Sequence, residues 1–382
     1  MPKNYKICVY AIAKNEEKFV DRFMDCLEEI KDHVYILDTG STDNTFEKFK
    51  ARGAHIQKKE YEKFDFAQAR NDALNLIPED YDICICLDLD DCIGPGFIEK
   101  IISYWEDNLS MLTYNYWTTV NAMDEPVVRF QCGKIHSRKD YYWLYPIHEV
   151  LMYSGQNEKK KDAPDIIVKH RPDCTKSRAF YLDMLEDYVE KNPENRRNIY
   201  LLAREYKSRK VWEKCIKMSH RYLNLQSLPN KEELGQVMSF LTKSYTGLKY
   251  YEEAELWGYK TLKEVGDCRT PYIDMMILYY NKKNYVKSLK YGLDALNITK
   301  RNASRTEDRN CWNETVYDYI SLSYYHLKDY DNALKYIDMA IERKPDDKRL
   351  IENRKIYEKK LVNSLAPNWQ GPTRETFEEE RE

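Results

Sequence analysis

No apolar run in this 382-residue sequence reaches the roughly 18 residues that span a bilayer, and Ile7 to Ala13 is too short and too weakly flanked for a secretory signal. A soluble, cytoplasmic protein is therefore expected. An excess of one charge is lacking too: 61 Lys and Arg against 64 Asp and Glu leave a net charge of -3, which gives no electrostatic footprint for nucleic acid. There are 10 cysteines, but no C-x-x-C spacing occurs, and the closest pair, Cys84 and Cys86, sits inside an apolar stretch. Reduced, packed thiols are expected in place of bridges or a zinc cluster. Glycine-rich phosphate loops are missing as well. The first strand-to-helix turn has no G-x-G-x-x-G, and G-x-x-x-x-G-K-[ST] occurs nowhere, which excludes the dinucleotide and P-loop readings.

What is present in the N-terminal half is an alternation of short apolar strands with helices. Residues 6–12, 33–37, 55–58 and 84–87 read as strands; the stretches through about residue 30, 46–52 and 65–74 read as helices. This order predicts an α/β fold with a mostly parallel, Rossmann-like sheet, whose ligands bind beyond the carboxyl ends of the strands. Polar clusters at those ends bring Asn15, Asp38, Ser41, Arg70 and Asp88 toward one crevice suited to a nucleotide. For Arg70 the plain alternative is a salt bridge on a helix surface. Residues 82–91 carry the sharpest signal, a buried-type strand that runs straight into Asp88, Asp90 and Asp91. On an extended backbone Asp88 and Asp90 share a face, so two hard oxygen donors would converge on a divalent cation able to neutralise a diphosphate. An ordinary acidic turn after a strand is the competing reading.

From about Thr175 long helical periodicities take over, which puts a domain boundary between Pro172 and Arg178. The expected organisation is a nucleotide domain at 1–172, helical repeats at 173–361 and a polar, disordered tail at 362–382. Ala203-x-x-Tyr206 with Cys215, Thr242-x-x-Tyr245 with Ala254, Met276-x-x-Tyr279 with Ser288, and Ser321-x-x-Tyr324 with Ala333 repeat one internal spacing. These are tetratricopeptide-like units, the last of which also places Ala340 and Pro345 at characteristic positions. Residues 297–309 read as a loop insertion. The 33 tyrosines, mostly after position 100, suggest helices packed with amphipathic rings and an aromatic acceptor groove. Stacked helix pairs offer a groove for a peptide or partner. Bracing the first domain, or forming a homodimer, is the structural alternative.

Ala13-Lys14-Asn15-Glu16-Glu17, the stretch from Asp38 to Thr45, Phe64-Asp65-Phe66-Ala67-Gln68-Ala69-Arg70-Asn71 and Asp88-x-Asp90 together resemble the family 2 glycosyltransferases of the GT-A fold. The likeness covers residues 5 to about 172 and extends to the helices, since members with tetratricopeptide tails, including sublancin-type peptide S-glycosyltransferases, share the layout. The resemblance implies that Ala11, Ala13, Asn15 and Glu16 border the nucleoside, that Asp38 lies near uracil or ribose, and that Arg70 faces the nucleotide or diphosphate. It implies further that Asp88 contacts ribose or the metal, that Asp90 ligates Mn2+ or Mg2+, and that His170 completes the metal site. By the same resemblance the segment from Trp143 to Glu149 supplies the base, Glu149 with His148 competing for the role. Lys134, His136 and Arg138 fall in a segment that could close over the donor.

The activity this implies is an inverting, metal-dependent transfer from a UDP-sugar to a hydroxyl or thiol of a peptide, protein or glycan. A tetratricopeptide interaction protein with an inactive transferase domain is the alternative from another class. A nucleotidyltransferase ranks below both, for want of a glycine-rich, Arg-containing loop after the first strand.

Overall fold

The computed structural model describes residues 5–120, 126–172, 180–226, 229, 231–301 and 311–365. The chain divides into two compact units, Met1–Met184 and Leu185–Glu382. The stretch expected to hold the domain boundary lies mostly outside the described residues, as does most of the expected tail.

The first unit runs β1 (Ile7–Ala13), α1 (Glu17–Cys26), β2 (Val34–Asp38), α2 (Thr45–Ala51), β3 (His55–Lys58), α3 (Phe66–Asn75), β4 (Ile83–Cys86), β5 (Asp91–Ile93), α4 (Phe97–Tyr104), β6 (Met111–Val120), β7 (Pro126–Ser137), β8 (Tyr141–Leu144), β9 (Val150–Tyr153) and β10 (Lys160–His170). Eight strands form one sheet in the order β3-β2-β1-β4-β7-β6-β10-β5, with β8 and β9 as a separate pair. From β3 to β4 all neighbours are parallel, while β7 is antiparallel to both β4 and β6, and β5 closes the far edge antiparallel to β10. The α/β expectation and its mostly parallel sheet are met.

Both faces of the sheet are covered, which explains why β1 and β4 are apolar at every position. Val9, Ala11, Ile83 and Ile85 pack into one core, and Cys8, Tyr10, Cys84 and Cys86 into the other. The expected packed thiols are found: every described cysteine is unbridged, and Cys84 and Cys86 are core residues. Two expectations are corrected. The first helix stops at Cys26, and Glu28–His33 winds as a tighter 3-10 turn that sends both Leu27 and Ile30 inward. The tyrosines after position 100 do not all belong to helices, since Tyr114 and Tyr116 are buried residues of β6.

The second unit is all helix: α5 (Phe180–Lys191), which starts just before it, then α6 (Arg196–Ser208), α7 (Trp212–Leu223), α8 (Lys231–Gly247), α9 (Tyr251–Val265), α10 (Arg269–Asn281), α11 (Tyr285–Asn297), α12 (Glu314–His326), α13 (Tyr330–Arg343) and α14 (Lys348–Leu365). The repeat positions explain the pairing. Cys215 and Ser288, twelve residues after Ala203 and Met276, donate to those residues' carbonyls at 3.4 and 3.0 Å, so small side chains let paired helices touch backbone to side chain. Ala254 and Ala333 are fully buried at the equivalent positions. The expected loop at 297–309 begins where α11 ends, and its residues from 302 lie outside the described ones. Helix α14 continues to Leu365, so the first residues of the expected tail are helical.

Candidate active site

Asp88 and Asp90 follow β4, but the backbone there is not extended. The amide of Asp91 donates to the carbonyl of Asp88 at 2.9 Å, and the amide of Asp88 donates to Asp91 Oδ2 at 3.0 Å. This turn separates the two carboxylates that a strand would have aligned. Asp88 Oδ1 accepts from Arg70 Nη2 at 2.6 Å and its Oδ2 from Lys134 Nζ at 2.9 Å. Burial opposes the charge on Asp88, yet Lys134 and Arg70 together hold its carboxyl far below the usual range.

Asp90 takes a different partner. Its Oδ1 lies 3.3 Å from His170 Nδ1, and Asp91 Oδ1 lies at the same distance from that nitrogen. Ligand atoms of Asp90, Asp91 and His170 all fall within 4.8 Å of one another. The register of β10 against β5 accounts for this, because antiparallel pairing sets His170 opposite Asp91. Asp91 is buried and further held by the Tyr116 hydroxyl, which donates to Oδ1 at 2.6 Å. Burial draws the His170 pKa down, but hydrogen bonds to Asp90 and Asp91 outweigh it and push the imidazolium up to about 9. Two carboxylates and an imidazole are a donor set that suits a hard divalent ion. Asp88, expected among the ligands, is replaced in this cluster by Asp91.

Glu149 reaches the same crevice from the loop between β8 and β9. Its Oε1 accepts from Arg70 Nε at 2.7 Å, so one buried guanidinium holds Glu149 and Asp88 at once. Arg70 also donates to Cys86 Sγ at 3.2 Å and stacks over Trp143 at 5.0 Å. The surface salt bridge is thereby ruled out for Arg70, and its nitrogens are committed to protein groups.

A cavity of about 790 Å³ joins these groups, large enough for a nucleotide sugar. Among the expected residues, Ala13, Asn15, Glu16, Arg70, Asp88, Asp90, His148, Glu149 and His170 line it. Ala11, Asp38 and Ser41 do not. Ala11 is wholly buried in the core. Asp38 Oδ1 accepts from the amides of Gly40 and Ser41 at 2.9 and 2.7 Å, a turn that Gly40 permits at φ 104, and Ser41 Oγ in turn accepts from the Asn15 amide at 2.9 Å. These residues shape the loop under Asn15. His136 is not in a closing segment; it is fully buried in β7. Arg138 spends its guanidinium on the Ile77 carbonyl.

Sequence reasoning gave Asp91 no role and sought an aromatic groove among the tyrosines, without Phe64, Phe66 and Phe180. Phe66 stacks on Tyr181 at 5.6 Å and meets Phe64 edge-on at 4.7 Å, and all three line the cavity with Phe180. Asp91 was visible as the third acid of the run; the turn that turns it inward was not.

Residues 8–125 match the profile of glycosyl transferase family 2. Similar solved structures include a thermophilic TPR protein of Thermus thermophilus, at 15% identity over 48% of this chain and 89% of that one, TM-score 0.36. YrrB, a TPR protein with an unusual peptide-binding site, aligns at 12% identity over 46% of this chain and 82% of its own, TM-score 0.35. Glucosyl-3-phosphoglycerate synthase from Mycobacterium tuberculosis, in complex with Mg2+ and UDP, aligns at 21% identity over 30% of this chain and 44% of its own, TM-score 0.26. No curated protein matches the chain.

Proposed function

From a family 2 glycosyltransferase domain at residues 8–125, we propose an inverting transfer of a sugar from a UDP-sugar to the hydroxyl or thiol of a peptide, protein or glycan. The observation that carries this reading is the shared cavity, whose wall includes Asp90, His170 and Glu149. Asp90, Asp91 and His170 would hold Mn2+ or Mg2+, and when bound the ion supplies positive charge to the departing diphosphate.

The chain's own residues account for the remaining steps. Ala13, Asn15 and Glu16, at the end of β1, border the nucleoside. The acceptor oxygen or sulfur attacks the anomeric carbon while the bond from that carbon to the diphosphate oxygen breaks, and the bonding pair leaves with UDP. Glu149 takes the acceptor proton, through Oε2, because Arg70 already occupies Oε1. His148 stands beside it in the wall with the backbone at φ 52, near the Tyr181 ring at 6.5 Å. The helical pairs of the second unit serve as the element that binds acceptor or partner, in a cytoplasmic protein.

Incubation with UDP-glucose and MnCl2 tests the reading. UDP release is expected from the unaltered protein and lost in Asp90→Ala and Glu149→Gln. No release from any common UDP-sugar overturns it.

A further inference from the structure

Resting on Glu149 as proton acceptor, we propose that Arg70 and Asn71 are positioning residues: helix α3 acts as a bracket that fixes the base loop, and Arg70 couples that loop to Asp88 without binding the diphosphate itself. Three neighbouring attachments carry this. The amide of Phe66, first residue of α3, donates to the Pro146 carbonyl at 3.0 Å. Asn71 grips the Trp143 backbone twice, with Nδ2 donating to its carbonyl at 2.9 Å and Oδ1 accepting its amide at 2.7 Å. Arg70 then holds the end of the loop through Glu149 Oε1.

The loop needs holding. Tyr145 and His148 have φ of 77 and 52, left-handed conformations that strain a residue with a side chain. A loop of that kind keeps its shape only when its surroundings over-determine it. Helix α3 does so at residue 143 in β8 and at residues 146 and 149 in the loop that follows. Trp143 is anchored from its other side as well, since its Nε1 donates to the Tyr10 hydroxyl at 2.9 Å.

The guanidinium has a second consequence. Its Nε serves Glu149 and its Nη2 serves Asp88, so the planar fork fixes the distance between the base and the acid next to the candidate ion ligands. A lysine carries the charge but cannot span both carboxylates. Misplacing a reacting group by about 1 Å costs roughly 10²-fold in rate, which sets the scale expected for this residue.

The test measures UDP release from UDP-glucose with MnCl2 and, separately, UDP affinity by calorimetry, for the full chain and for Arg70→Lys, Asn71→Ala and Glu149→Gln. Arg70→Lys is expected to lower kcat about 10²-fold, and Asn71→Ala about 10-fold, while UDP affinity stays within about threefold in both. Adding guanidinium to Arg70→Ala is expected to restore part of kcat, a rescue that a purely structural defect would not show. A tenfold or greater loss of UDP affinity in Arg70→Lys, with kcat unchanged at saturating donor, makes Arg70 a diphosphate ligand and overturns the proposal. If Arg70 variants fail to fold by circular dichroism, Asn71→Ala decides, and unchanged kcat there overturns it. Full activity in Glu149→Gln overturns the base assignment and this inference together; loss there with normal rates at 70 and 71 overturns this inference alone.

Discussion

The Tyr10 hydroxyl lies 3.0 Å from Nε2 of His136, and both residues are fully buried. On the other side of the ring Nδ1 faces the Ser137 carbonyl at 2.8 Å, a group that only accepts. Nδ1 therefore carries the proton, Nε2 accepts from Tyr10, and the neutral imidazole is fully satisfied.

Burial pulls the His136 pKa down to about 4, below the 6.5 of an unfolded chain. Between these values the unfolded state binds the extra proton, so stability falls as pH drops through 6.5 and the loss is complete below 4. At pH 5 the penalty relative to pH 7 is about 2 kcal/mol. Urea denaturation at the two pH values checks this. His136→Gln is expected to remove most of the difference, and an identical pH response in both proteins would contradict the assignment.

Removal of the ion should silence the candidate site. Chelation is expected to abolish UDP release, and Asp90→Ala to weaken Mn2+ binding at least tenfold. Asp91→Asn should have a smaller effect, since Asp91 also anchors Tyr116 and orients His170. Calorimetric titration with MnCl2 separates the variants; equal affinities in all three would place the ion elsewhere.

Each of the four repeats turns between its helices on a lysine in the left-handed region: Lys210, Lys249, Lys283 and Lys328, at φ of 58 to 65. The next residue's amide reaches back to the tyrosine four before the lysine, for example Tyr250 to the Tyr245 carbonyl at 2.9 Å, the bond of a Schellman ending. Glycine adopts this backbone without strain, so Lys249→Gly is expected to stabilise the helical unit by roughly 0.5 kcal/mol, and Lys249→Val to destabilise it by about 1–2 kcal/mol. Thermal unfolding followed by circular dichroism reads both signs; a stabilising valine would rule the strain out.

Gly292 faces the next helix without room for a side chain. A Cβ there would stand 2.6 Å from Ile320 Cγ1 and 2.9 Å from Met276 Sδ, both in the core of the last repeats. The gain in helix propensity from alanine, about 1 kcal/mol, is set against an overpacking cost of about 1–3 kcal/mol. Gly292→Val, with the larger clash and the poorer propensity, is expected to lower stability by more than 2 kcal/mol. An unchanged denaturation midpoint would show that Ile320 can move aside.

Much of the frame was legible along the chain. Strands β1 to β4 fall within a residue of their expected positions, because a run buried on both faces has one reading at that length. The repeats were legible because a small residue twelve positions after its partner is a strict steric demand. Strands β6 and β7 were missed although Leu112, Tyr114 and Tyr116 alternate with Thr113 and Asn115 at the period of a strand; the abundance of tyrosine in the helices masked that local signal.

Sequence alone determined which groups are available: three aspartates after a buried strand, Arg70 and Asn71 in the middle of a helix, His148 and Glu149 in a polar loop, His170 closing another strand. Only the tertiary structure decided how they divide. Glu149 lies 79 residues from Arg70, and His170 lies 79 from Asp91, so each pairing depends on strand register and on one turn at residues 88–91. Local periodicity carries no information about either, because a hydrogen bond across the sheet is selected by the packing of both partners and not by the spacing of one.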